Sequence, residues 1–203
     1  MTNKRTLSRR KFITLAGAST TTVGLSLFLK PHLALSKKSK ELVRDPQGIF
    51  DLPEGFQYKI LSIQGQKMSD GTPVPTYFDG MGAFAGPNGT TILIRNHELS
   101  PGDKPSVIAS HQNKFDRRSS GGTTTLIIDS DRNVIEEYVS LAGTNRNCAG
   151  GTTPWGSWIS CEEDVAPNHG YNFEIPSQGK IIKPEPLVAM GRFRHEAISQ
   201  RSA

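Results

Sequence analysis

Past residue 47 the chain shows no long stretch with helical periodicity. Short apolar or β-branched runs recur instead, cut apart by Gly, Pro, Asn and Asp. YKILSI (58–63), TTILIRN (90–96), GGTTTLIID (121–129), VIEEYVSLAG (134–143), GSWISCEE (156–163), KIIKPEP (180–186) and RFRHEAIS (192–199) read as strands. GPNG marks a turn before the second run. Ser130-Asp131-Arg132-Asn133 joins the third and fourth as a hairpin. Twenty glycines and thirteen prolines fit this density of turns. The pattern predicts an all-β protein, a sandwich, barrel or propeller, and shows no clean internal repeat to choose among them.

Charge divides the chain in two. Residues 1–44 hold ten Lys/Arg against one acid, while the remaining 159 residues hold fourteen against eighteen. The body is mildly acidic, which argues against nucleic acid as a partner and suits cation binding. The basic start carries Ser8-Arg9-Arg10-Lys11-Phe12, then a moderately apolar run to Leu29, then small residues around Ala34–Ser36. This reads as a twin-arginine export signal over residues 1–36, with residues 37–47 a polar linker and 48–203 the domain. The Thr/Ser/Gly content of the run makes it a poor membrane anchor. The expected location is periplasmic or secreted, reached through the twin-arginine export machinery.

Candidate chemistry recurs at strand ends. Arg95-Asn96-His97-Glu98 closes one strand, Glu162-Glu163 another, and Arg194-His195-Glu196 lies in a third. Carboxylates gathered at one rim repel each other unless cations neutralise them. Arginine beside glutamate suits a metal-assisted reaction on a phosphate or carboxylate. The histidines lack His-x-x-x-His spacing, so a zinc protease has little support. Cys148 and Cys161 do not match the CxxC pairs of structural zinc. A disulfide between them is the default for a secreted protein. Nothing in the sequence places a histidine beside Cys148 to make it a nucleophile.

RNHE, GGTTTLII, NCAGGTTPWGSWISCEE and GRFRHEA occur here in the order found in the PhoX-type alkaline phosphatase family, which the chain resembles over about residues 48–198. That resemblance implies a six-bladed β-propeller of which this chain would supply about the first three blades. It implies hydrolysis of small phosphate esters outside the cytoplasm, with iron (Fe3+) and calcium (Ca2+) as cofactors. Carried over residue by residue, it makes Cys148 an iron ligand, and Glu98, Glu162, Glu196 and the neighbouring Glu163 ligands for iron or calcium. Arg95 and Arg194 are expected as phosphate clamps on their chemistry more than on motif identity, and Cys161 as a packed strand residue. The similarity stops near Ile198, so a truncated chain of little activity is expected. Two other readings remain: an exported calcium-binding β-domain without catalysis, and a lactonase-like esterase on a calcium propeller.

Overall fold

The computed structural model describes residues 42–199; the expected export signal and the start of the linker lie outside them. Every regular element among the described residues is a strand or a short 3-10 turn. No helix among them is long and apolar enough to cross a membrane. The all-β expectation holds, as three antiparallel sheets.

The described part of the first unit, residues 42–58, is a two-stranded ribbon of β1 (Leu42–Val43) and β2 (Leu52–Pro53). The Asp45 carboxylate organises its turn by accepting from the backbone N–H groups of Gln47, Ile49 and Phe50 and from the Tyr58 hydroxyl at 2.6 Å. These bonds, led by the Tyr58 hydroxyl, lower its pKa to about 2.

The second unit, from Lys59 onward, contains two meanders. The first runs β3 (Phe78–Ala85), β4 (Thr91–His97), β5 (Gly121–Ile128) and β6 (Val134–Thr144), each paired with the next. The second runs β7 (Asn147–Thr152), β8 (Ser157–Glu162) and β9 (Asn172–Pro176). The hairpin at Ser130–Asn133 forms as expected. Asp129 accepts the Asn133 N–H at 2.7 Å, and Arg132 takes the left-handed conformation at φ 65°.

The sequence reading errs at both extremes. Residues 58–63, 180–186 and 192–199 are not strands. Pro184 and Pro186 remove ladder donors from the second of these, which keeps one bridge, Phe173 to Pro186. Conversely β3, β7 and β9 lacked a strong apolar run. In β3 and β7, glycines stand where neighbouring backbone comes too close for a side chain. A Cβ on Gly80 would lie 2.7 Å from Ala149 Cα, and one on Gly150 would lie 2.0 Å from the Ile159 carbonyl oxygen.

Ile94 and Leu141 of the first sheet pack with Trp158, Phe173 and Ile175 of the second, closed by Phe115 and Tyr171. Phe115 meets Phe173 edge-on at 5.0 Å between ring centroids. A second cluster, Met68, Val74, Leu99, Val107, Val139 and Ala142, lies beneath the loops around β6. One polar residue also links the sheets. Fully buried Asn96 donates from Nδ2 to the carbonyls of Cys148 (3.0 Å) and Ala149 (2.9 Å). Its Oδ1 accepts from Trp158 Nε1 and Ser160 Oγ, both at 2.9 Å. All four of its hydrogen-bonding positions are thereby used, so it can neither rotate nor move without breaking several bonds.

Candidate metal centre

The register of β7 against β8 slips between Asn147 and Gly150, so Cys148 and Ala149 have no β8 partner. Their carbonyls turn to Asn96 instead, and the Ala149 N–H donates to the Glu196 carbonyl at 3.1 Å. A bulge of this kind re-aims a side chain out of the sheet. Here it sends the Cys148 thiol to Glu196, Sγ donating to Oε1 at 3.2 Å. Glu163 follows directly on β8, held by its N–H to the Arg146 carbonyl at 2.9 Å. Ligand atoms of Cys148, Glu163 and Glu196 lie within 4.8 Å of one another.

Two further groups join them. Glu98 follows β4, its N–H bonded to the Tyr77 carbonyl. Its carboxylate meets Arg146 Nη2 at 2.5 Å, and the same nitrogen reaches Glu163 at 2.8 Å. Asp79, on β3, stands close enough to Glu98 and Cys148 to act on both charges. Burial raises the Glu98 pKa; Arg146 opposes the shift, while Asp79 and Glu163 add to it. The Cys148 thiol is pushed up to about 12, first by burial, then by its bond to Glu196 and by the charges of Asp79, Glu196 and Glu98. The thiol keeps its proton at neutral pH, and positive charge is scarce around it. A cation would displace the thiol proton and relieve the crowding. The donor set, one soft thiol among hard carboxylates, therefore fits a mixture of a thiolate-accepting transition metal and an oxygen-seeking cation such as calcium.

Other expected site residues lie elsewhere in this arrangement. Glu162 is fully buried and its carboxylate is already filled. Oε1 accepts from the Asn145 N–H (2.8 Å) and His169 Nδ1 (2.7 Å), and Oε2 from the N–H groups of Gly170 (2.8 Å) and Tyr171 (3.2 Å). Burial is the largest single influence on His169 and disfavours its charge, but the bond to Glu162 and the charges of Glu162, Asp116 and Asp164 together outweigh it and the imidazole pKa is raised. The Glu162 carbonyl also accepts the His195 N–H at 2.9 Å, which fixes the segment carrying Glu196. Arg95 is buried against Glu137 (3.0 Å), Thr124 and Ser62, under the Phe78 ring at 4.0 Å. Arg194 is exposed on the Glu196 segment. Cys148 and Cys161 are both free thiols, and Cys161 is in the core.

Asp79 and Arg146 escaped the sequence reading. Arg146 sits two residues before Cys148, immediately ahead of the NCAGGTTPWGSWISCEE block, so its position was a usable signal. Asp79 offered none, because only the pleat of β3 against β7 brings it near.

Comparison with known proteins gives one match. The profile of the family described as Alkaline phosphatase PhoX matches residues 37–136 and 106–202. No curated protein and no solved structure matches the chain.

Proposed function

The chain belongs to the PhoX alkaline phosphatase family, and from that premise we propose that it is an exported, metal-dependent hydrolase of phosphate esters. The observation that carries the metal dependence is the meeting of Cys148, Glu163 and Glu196 within 4.8 Å, with Glu98 tied to the same group through Arg146. In this reading Cys148 holds ferric iron as a thiolate. Glu98, Glu163 and Glu196 hold iron or calcium, with Asp79 close by. Bound there, the cations would supply electrostatic stabilisation for charge developing on a phosphoryl group.

The protein's own share is positioning. Asn96 fixes the Cys148 backbone, Glu162 ties the 145–148 turn to the 169–171 segment and to His195, and Arg95 braces β4 through Glu137. Glu162 and Arg95 thus move in this reading from ligand and clamp to frame, because their polar atoms are engaged inside the protein. Arg194, exposed beside Glu196, remains a candidate contact for substrate oxygens. The two meanders are read as neighbouring blades of a partial propeller, with the cluster at the strand ends where blades converge. The twin-arginine pattern of residues 8–12 supports passage to the periplasm or beyond.

The test is to purify the chain, load it with Fe3+ and Ca2+, measure metal content and follow p-nitrophenyl phosphate hydrolysis beside a Cys148→Ala control. The expected result is iron bound only when Cys148 is present, with any hydrolysis weak and confined to the chain that carries Cys148. Calcium without iron, and hydrolysis equal to the control, would replace this reading with a non-catalytic calcium-binding β-domain.

A further inference from the structure

Among the described residues, the side chains that meet at the centre are acids and a thiol, with one cation, Arg146. Its Nη2 donates to both Glu98 and Glu163. Both hydrogens on that nitrogen are then in use, which leaves three N–H donors on Nη1 and Nε. Nε is buried and has no hydrogen-bond partner among the described residues. The side chain as a whole remains 39% exposed. Its backbone is pinned at φ 45°, a conformation that residues other than glycine avoid. The Arg146 N–H bonds the Leu99 carbonyl, and its own carbonyl accepts from Glu163. The guanidinium is therefore rooted beside Cys148 whatever its tip does.

A guanidinium between two carboxylates stands where a metal cation would be drawn. A cation taking the same oxygens would repel it and release Nη2. A planar fork with free donors would then face the bound cations, and such a fork matches the spacing of phosphoryl oxygens. Arg95 cannot serve in this way, since Glu137, Thr124 and Ser62 hold its Nη2 inside the sheet. We propose that Arg146 is the side chain that takes the phosphoryl oxygens at this centre, and that Glu98 and Glu163 hold it in place while no cation does. The inference rests on the phosphatase reading above and adds the residue that contacts substrate.

The test uses the full chain and its Arg146→Gln and Arg146→Lys variants, with two calorimetric titrations. In the first, calcium chloride is added to metal-free protein. Arg146→Gln should bind calcium at least tenfold more tightly than wild type, and Arg146→Lys, which keeps the charge, should stay near wild type. In the second, inorganic phosphate is added to protein loaded with Fe3+ and Ca2+. Affinity should fall at least tenfold in the glutamine variant and several-fold in the lysine variant, which has charge but no fork. Unchanged phosphate affinity in the variants, or unchanged or weaker calcium binding in Arg146→Gln, overturns the proposal. Should the glutamine variant lose its near-ultraviolet circular dichroism, the lysine variant decides by its phosphate affinity. A loaded wild type that hydrolyses p-nitrophenyl phosphate, alongside variants with unaltered phosphate binding, removes this inference alone. A loaded wild type that neither hydrolyses the ester nor binds phosphate removes the phosphatase reading, and this inference with it.

Discussion

Replacing Glu162 by glutamine separates a frame residue from a metal ligand. The amide can keep its oxygen on the side of Gly170 and Tyr171, so those two N–H groups stay bonded. Its nitrogen then faces the Asn145 N–H and His169 Nδ1. His169 can accept at Nδ1 with its proton on Nε2. The Asn145 N–H cannot adapt and is left buried opposite another donor. A stranded buried donor costs about 1–3 kcal/mol, and replacing a charged acceptor by a neutral one weakens each surviving bond by about 1 kcal/mol. The sum is on the order of 3 kcal/mol, or a fall in Tm of roughly 10 °C for a domain of this size. Urea denaturation of wild type and Glu162→Gln, both metal-free, measures it. Metal stoichiometry of the folded variant should match wild type, since no ligand has been removed. A variant as stable as wild type to within about 0.5 kcal/mol that lacks one bound metal would refute the argument and return Glu162 to the ligand set.

Two further outcomes test the surroundings of the centre. His97 is fully buried, with Nδ1 on the Thr76 carbonyl and Nε2 on Thr124 Oγ1, and burial together with the Arg95 charge lowers its pKa to about 3. The unfolded chain takes up that proton near pH 6.5, so the stability held by neutral His97 is complete above pH 6.5 and is lost as pH falls toward 3. By pH 4.5 the loss should be about 2–3 kcal/mol. Glu98, raised by burial, works the opposite way. The check is therefore the difference between wild type and His97→Gln in urea midpoints at pH 7 and 4.5, and equal pH slopes would contradict it. Gly150→Ala should destabilise the chain by about 3 kcal/mol or more, because its Cβ would press on the Ile159 carbonyl and Trp158 and neither can withdraw. A Tm within 2 °C of wild type would show that β7 can move away from β8.

The sequence by itself determined the all-β class, the strands β4, β5, β6 and β8 and the hairpin between β5 and β6. Alternation of apolar residues and local turn chemistry act over a few residues and can be read without tertiary context. It also singled out the Cys148 block and the three acid-bearing motifs, from which Cys148, Glu163 and Glu196 meet in the structure and Glu98 joins through Arg146. What it could not decide is which of two adjacent acids faces the centre. Glu162 and Glu163 have the same chemistry, and the pleat sends one inward to four protein donors and the other toward Cys148 and Arg146. β3 was invisible for a related reason: its glycines record close approach between sheets, which depends on residues 60 or more positions apart, such as Gly80 with Ala149 and Gly82 with Trp158, while Gly150 of β7 records crowding by Ile159 on its sheet partner β8. Arg95 and Arg146 make the point for cations. Local sequence shows two arginines near acids; strand pairing within the first meander buries the first on Glu137, and the approach of the two meanders leaves the second between Glu98 and Glu163, because which charges meet is settled by contacts between residues far apart in sequence.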